Sequence, residues 1–302
     1  MKLKDLVFYK KNGFLIKKNL IDDKEISKIN KIIKKILNEG KKNRNDELFV
    51  YNNKSKNDRN ILRIKDPHNV DKLFYKLSRN NKIISIVSKL LGGTVRFHHS
   101  KLNFKLPSNM MGGLIDWHQD WAFYPHTNDD LLAVGIYLEN CEEVNGPLKV
   151  IPGSHNKKLY NHHSNNEFVG KIELKKEKIN IKNSISLTGK SGTVTFHHVR
   201  TIHGSGLNLT DNLRPLLLFG YAAVDAWPLT SDSSADPNLN FNNYNDCIIK
   251  GSPTLTPRIK KVPIRIPLPR INDSIYDMQK RAKIWIKKNL IKIKINLMGL
   301  FL

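Results

Sequence analysis

Two stretches, Val95-Arg96-Phe97-His98-His99 and Leu102-Asn103-Phe104-Lys105, follow Gly92-Gly93, and there the period of the sequence changes. Upstream, apolar residues recur at helical spacing; downstream they alternate in the manner of strands. Leu131 to Leu138 is a nearly continuous apolar run suited to a buried strand. Asn145-Gly146-Pro147 marks a turn into Leu148-Lys149-Val150-Ile151, and Thr193-Val194-Thr195-Phe196 and Leu216-Leu217-Leu218-Phe219 supply further short strands. Short strands separated by turns, without strand–helix–strand alternation or a Gly-rich phosphate loop, predict a sandwich or jelly roll.

Outward from this core the chain reads as support. Asp22-Asp23 can cap a helix with Ile26, Ile29, Ile33, Ile36 and Leu37 on its apolar face, and Gly40 stands where a C-terminal glycine belongs. Residues 41–60 are polar and read as a loop. One further helix is expected through Val70, Leu73, Phe74 and Leu77, another through Ile83, Ile84, Val87, Leu90 and Leu91. Residues 156–188 are polar and irregular, a candidate lid, and 230–257 form a second long loop. Ser274 can cap a last helix, with Ile275, Met278, Ala282, Trp285 and Ile286 facing inward.

Composition narrows the function classes. Hydrophobic residues are 39% and charged residues 26%, so a wholly disordered chain is excluded. Cys141 and Cys247 cannot build a disulfide scaffold or a cysteine zinc site. No eighteen-residue apolar run predicts a transmembrane helix, and Met1-Lys2-Leu3-Lys4-Asp5 leads into no secretory core, so a cytoplasmic location is expected. The net charge of +24 could attract nucleic acid, anionic lipid or an anionic substrate. Lysines are spread along the whole chain among isoleucines and asparagines, which reads as compositional drift more than as a polyanion-binding stripe.

The strand-rich section holds Trp117-His118-Gln119-Asp120. On a strand, His118 and Asp120 share one face and could share one cation. With 11 histidines in 302 residues, about 0.7 His-x-Asp tripeptides arise by chance, so the pair needs context. Thr201-Ile202-His203-Gly204-Ser205-Gly206 supplies it, a second histidine following the strand from Val194. Two histidines and one carboxylate form the facial set of non-haem Fe(II) oxygenases. Eleven residues on, Arg214 opens Arg214-Pro215-Leu216-Leu217-Leu218 and can fork onto a carboxylate.

These blocks, with Gly146-Pro147-Leu148-Lys149-Val150-Ile151-Pro152-Gly153-Ser154-His155 and Asn208, resemble the phytanoyl-CoA dioxygenase family of Fe(II)/2-oxoglutarate-dependent oxygenases from about Arg63 to Trp227. The resemblance implies an α+β fold: a double-stranded β-helix (jelly roll) core with supporting N-terminal and C-terminal helices. It reads as a single dioxygenase domain over 1–302, with 1–93 as mainly helical support, 94–228 as jelly-roll core with the lid 156–188, and 229–302 as loop and C-terminal helix. It also implies His118, Asp120 and His203 as iron ligands and catalytic centre. Arg214 would bind the distal carboxylate of 2-oxoglutarate with Ser205 helping, and His99, Lys101 and Arg63 would add cosubstrate contacts. The implied reaction uses O2, releases succinate and CO2, and hydroxylates a C–H bond of a small organic metabolite. One departure is Ile136, which stands where some relatives place a cosubstrate-contacting tryptophan.

Other readings compete. Trp121, Phe123 and Tyr124 can line a substrate pocket or pack in the core; Trp121 and Tyr124 are taken as substrate candidates. His155 reads as part of a shaped turn, His162 and His163 as solvated in the lid, and Arg200 as exposed. Of His197 and His198 one must point outward, and neither is assigned. The basic, apolar segment 291–302 could touch an anionic membrane surface but is too short to span one. Two alternatives to the dioxygenase remain: a non-catalytic jelly-roll metal- or ligand-binding protein, and a nucleic-acid-binding or nucleobase-modifying oxygenase. A specific nucleic-acid partner is not expected. Substrate identity and oligomeric state are not legible.

Overall fold

A computed structural model describes residues 1–53, 57–110, 112–229, 241–269 and 274–281. Among the described residues fourteen strands build its sheets: β1 (Phe14–Lys17), β2 (Phe49–Tyr51), β3 (Ile61–Lys65), β4 (Val95–Lys105), β5 (Ile115–His118), β6 (Leu131–Tyr137), β7 (Leu148–Val150), β8 (His163–Ser164), β9 (Glu167–Phe168), β10 (Ile185–Leu187), β11 (Val194–His198), β12 (His203–Ser205), β13 (Arg214–Ala222) and β14 (Ile248–Lys250). The major sheet runs β1-β11-β6-β13-β4-β3-β2, with β14 also paired to β4; the minor sheet runs β10-β7-β12-β5. Every pairing is antiparallel. The two sheets form a jelly roll that is open rather than a closed barrel, and β8 with β9 makes a separate hairpin.

Alternation on β4 gives the major sheet its two faces. Leu102 and Phe104 are buried in the largest apolar cluster with residues of the helices, whereas His99, Lys101, Asn103 and Lys105 line a pocket. The helices α1 (Leu3–Asn12), α2 (Asp23–Lys42), α3 (Pro67–Val70), α4 (Lys72–Ser78) and α5 (Asn81–Leu90) precede the core strands. Asp22 caps α2 by accepting from Glu25 N–H, at 2.9 Å, and Ile26, Ile29 and Ile33 bury its apolar stripe. Each such side chain contributes about 1.5–3 kcal/mol of burial. The periodic run through Val70 and Leu77 is split into α3 and α4 at Asp71, whose side chain caps the second piece by accepting from Leu73 N–H.

Several expectations change here. Short strands interrupt the mainly helical N-terminal region: Phe14–Lys17 pairs with β11, and Phe49–Tyr51, inside the polar stretch 41–60 read as a loop, pairs with β3. Gly40 does not cap α2, which continues to Lys42. It is needed for close approach, because a Cβ there would fall 2.7 Å from the Phe49 ring and 2.8 Å from Ile61. The final segment begins as expected. Ser274 caps it through Asp277, and Ile275 and Met278 are buried. Ala282, Trp285, Ile286 and the tail 291–302 lie outside the described residues, as does part of the loop 230–257. Among the described residues no helix is long and apolar enough to cross a membrane.

Gly40→Ala tests the close approach. In an exposed helix interior it would add about 1 kcal/mol of stability. Here it is expected to cost roughly 1–3 kcal/mol through overpacking, read as a lower urea midpoint; a raised midpoint would contradict the packing account.

Candidate active site

A cavity of about 240 Å³ lies between the two sheets. From the minor sheet, His118 ends β5 and His203 opens β12. The two are direct register partners, and their ring centroids are 4.1 Å apart. Asp120 reaches them differently from the expected strand alternation. β5 stops at His118, and Asp120 begins a 3-10 turn over Asp120–Ala122. Gln119 N–H donates to His162 Nε2 at 2.9 Å and Trp121 N–H to the Val199 carbonyl at 3.0 Å. These contacts bend the chain so that Asp120 Oδ1 stands 3.6 Å from His118 Nε2 and 3.8 Å from His203 Nε2. One donor atom from each of the three residues lies within 4.8 Å of the others.

The local chemistry suits a cation. His118 Nδ1 is 2.8 Å from the Asp116 carbonyl and His203 Nδ1 is 2.9 Å from the Thr201 carbonyl. A carbonyl only accepts, so each Nδ1 donates and each Nε2 is the atom turned to the site, the usual support of a metal-binding imidazole. Burial, helped by the neighbouring His118, holds His203 well below the usual histidine range. Burial alone would raise the Asp120 carboxyl, but the imidazoles around it outweigh that and keep it well below the usual carboxylate range.

The scaffold behind these side chains explains motifs that the sequence displayed without roles. Gly13, at φ 79°, turns α1 into β1, and its carbonyl accepts from Thr201 Oγ1 at 2.9 Å. A Cβ at Gly13 would come within 2.6 Å of that oxygen. Thr201 in turn fixes the His203 ring. Ser154 Oγ accepts from Ile202 N–H at 2.9 Å, so the Pro152-to-His155 turn is tied to the backbone beside His203. The Gln119 amide donates to the Arg200 carbonyl and accepts from Tyr160 N–H.

Arg214 begins β13 opposite Lys105 on β4, and both are buried. Arg214 donates to the Gly146 carbonyl at 2.7 Å; Lys105 donates to the carbonyls of Gly113, at 2.7 Å, and Gly206. Burial, then the adjacent Arg214, pushes Lys105 well below the usual lysine range, and burial lowers Arg214 as well. Among the described residues neither has a carboxylate partner, a costly arrangement that an arriving carboxylate would offset. Ser205, Lys101, His99, Arg63 and Tyr124 line the same cavity.

Other expected residues lie elsewhere. Trp121 is fully buried in a separate apolar cluster, where its Nε1 donates to the Pro263 carbonyl at 2.7 Å, so it does not line the cavity. Ile136 belongs to the core cluster packed with the helices. No residue of 156–188 lines the cavity; Pro269, Ile275, Tyr276 and Met278 do, so the C-terminal segment is the cover. Gln279 fastens it, accepting from Asp116 N–H at 2.9 Å and donating to the Gly170 carbonyl at 2.8 Å. His162 is buried rather than solvated, and Arg200 is half-buried against Asp129 at 2.9 Å rather than exposed. Lys105 and Asn103 also line the cavity and were not singled out; Phe123, weighed as a pocket or core residue, and His197, left unassigned, line it as well. For Lys105 and Asn103 the signal was the two-residue alternation from Lys101. His197 Nε2 stands 3.6 Å from Asp120 Oδ2, the oxygen turned away from His118 and His203, and among the described residues its Nδ1 has no hydrogen-bond partner.

The profile of the phytanoyl-CoA dioxygenase family matches residues 9–216. A probable alpha-ketoglutarate-dependent hypophosphite dioxygenase of Stutzerimonas stutzeri is 41% identical over 226 residues, covering 73% of this chain and 76% of its own. An L-proline trans-4-hydroxylase of Streptomyces griseoviridis is 29% identical over 181 residues, 53% of this chain and 67% of its own. Among solved structures, iron-bound EctD from S. alaskensis matches with a TM-score of 0.65 at 22% identity, over 76% of this chain and 79% of its own. The carbocyclase SnoK of nogalamycin biosynthesis matches at 0.64 and 18%, over 76% and 86%. At those identities the structures speak for the fold.

His197→Phe keeps a ring and removes its nitrogens. Metal affinity, measured with Mn(II) by calorimetry, should fall by about tenfold, the lower end for a group supporting a ligand. An unchanged affinity would make His197 a space-filler only.

Proposed function

This chain belongs to the phytanoyl-CoA dioxygenase family and is an Fe(II)- and 2-oxoglutarate-dependent dioxygenase, and from that premise we propose which residues do the work. His118, Asp120 and His203 would hold the iron: two imidazole Nε2 atoms and one carboxylate converging from a strand pair and a turn are a donor set that fits it. Arg214 and Lys105 receive the distal carboxylate of 2-oxoglutarate, with the Ser205 hydroxyl beside them. The observation that carries this assignment is a pair of buried basic side chains whose hydrogen bonds, among the described residues, go only to backbone carbonyls. Bound iron supplies the oxidation with O2, in which 2-oxoglutarate becomes succinate and CO2 and one oxygen atom enters the substrate.

The protein's own part is orientation and exclusion of water. Asp116 and Thr201 carbonyls fix the ring planes of the two histidines. The guanidinium fork of Arg214 sets the axis of the diacid. Phe123, Ile275 and Met278 dry the cavity walls. At about 240 Å³ the cavity lies below the usual 300–1,000 Å³ of small-molecule sites and must hold the diacid too, so the substrate is small. Hypophosphite, in the name of the 41%-identical relative, is the first substrate to assay.

Alanine at His118, Asp120 or His203 should weaken Fe(II) binding by more than a hundredfold and abolish succinate formation, with far-ultraviolet circular dichroism unchanged. Full turnover by any of the three would overturn the ligand assignment. Arg214→Lys keeps the charge and loses the fork. The apparent KM for 2-oxoglutarate should rise about tenfold or more while Fe(II) affinity stays constant; an unchanged KM would remove Arg214 from the clamp.

A further inference from the structure

A second cavity of about 210 Å³ adjoins the first and is lined by Arg63, Lys65, Asp66, His98, His99, Ser100, Lys101 and Tyr124. Arg63, His99, Lys101 and Tyr124 line both cavities, so they form the wall between an outer vestibule and the inner pocket. We propose that Arg63 and Lys101 in this wall bind the substrate rather than the cosubstrate, and that the substrate is a small oxyanion bearing an oxidisable P–H or C–H bond. This rests on the dioxygenase reading given above and adds the substrate class and its subsite.

Distance separates Lys101 from Lys105, while Arg63 pairs with Asn103 between them. Lys101 and Lys105 lie four residues apart on β4, about 13 Å at roughly 3.3 Å per residue. A five-carbon diacid has four C–C bonds of about 1.5 Å and spans at most about 6 Å. Held by Arg214 and Lys105, it does not extend to the Lys101 position. The Lys101 amine stands 5.5 Å from the centroid of the Tyr124 ring, which stacks edge-on against His99. Arg63 is fixed by donating to Asn103 Oδ1 at 2.7 Å, with its guanidinium 5.1 Å from the Tyr276 ring centroid. Both groups are therefore preorganised in the wall.

Charge gives the sign of the ligand. Among the described residues the inner pocket is lined by four cationic side chains, Arg63, Lys101, Lys105 and Arg214, and one carboxylate, Asp120. Iron adds two positive charges and 2-oxoglutarate removes two. Three positive charges then remain, or two if Lys105 is neutral. A neutral substrate would leave that excess in a half-enclosed cavity, at a cost in desolvation; an oxyanion offsets it. The vestibule repeats the pattern, with Arg63, Lys65 and Lys101 against Asp66, and so draws anions inward. Oxidation of such a substrate balances as R–H, O2 and 2-oxoglutarate giving R–OH, succinate and CO2.

The test uses the iron-loaded protein with hypophosphite, phosphite and methylphosphonate as anionic probes and L-proline and ectoine as uncharged-overall controls. At least one oxyanion should raise succinate formation tenfold or more above the substrate-free rate, and the controls should not. Arg63→Gln and Lys101→Met should each raise the KM for that anion tenfold or more and leave the KM for 2-oxoglutarate within twofold, with Arg63→Lys and Lys101→Arg restoring part of the loss. Inert oxyanions, turnover of a control, or variants that raise the KM for 2-oxoglutarate instead would overturn the proposal. The visible charge-transfer absorption of the anaerobic Fe(II)–2-oxoglutarate protein separates the two readings. If it forms while every oxyanion is inert, only the substrate class fails; if it never forms, the dioxygenase assignment of this pocket fails.

Discussion

A half-buried carboxylate among three imidazole rings is the contact around which the rest of the molecule is arranged. Burial opposes the charge on Asp120, and His118, His203 and His197 overcome that opposition. Such a group is tolerable only if its neighbours are held in place, and the fold supplies a fixed partner for each. His118 is anchored on Asp116, and His203 on Thr201, itself tied to Gly13 at the junction of α1 and β1. The N-terminal helix and strand, remote in sequence, thus serve the second histidine. The major sheet meets the same problem with opposite sign. Its inner face presents cations, its outer face presents Leu102, Phe104 and Phe219 to the core, and the helices that cover the outer face hold the charged face in register.

Two buried charge groupings in one cavity are compatible because they sit on different sheets. The minor sheet contributes His118 and His203, the major sheet contributes Arg214 and Lys105, and the jelly roll keeps them apart. The C-terminal segment completes the enclosure through Gln279, which binds the backbone of β5 two residues before His118. Closure of the pocket and placement of the first ligand are thereby linked through one side chain.

Much of this was legible in the sequence, for physical reasons that can be named. Alternation at Val95–His99 and Leu102–Lys105 announced β4 because one face meets a core and the other a polar pocket. The histidines, Asp120 and Arg214 were visible because their residue types and order are chemically restrictive. What escaped depends on contacts between distant segments. Phe14–Lys17 and Phe49–Tyr51 are too short to show a period and become strands only by pairing with β11 and β3. Asp120 was expected on a strand, but His162 and Val199 draw away the backbone hydrogen bonds that would have continued β5. The choice between His197 and His198 follows from the register of β11 between β1 and β6, which the local sequence does not encode. The lid was misplaced for the same reason: polarity marked 156–188, while burial of Ile275 and Met278 decided the cover.

The most direct measurement is a crystal structure of the anaerobic protein with Fe(II) and 2-oxoglutarate. The account predicts iron on His118 Nε2, His203 Nε2 and one Asp120 oxygen, the distal carboxylate of the diacid on Arg214 and Lys105, and no diacid contact to Lys101. Iron bound elsewhere, or a diacid whose distal carboxylate rests on Arg63 and Lys101, would contradict it.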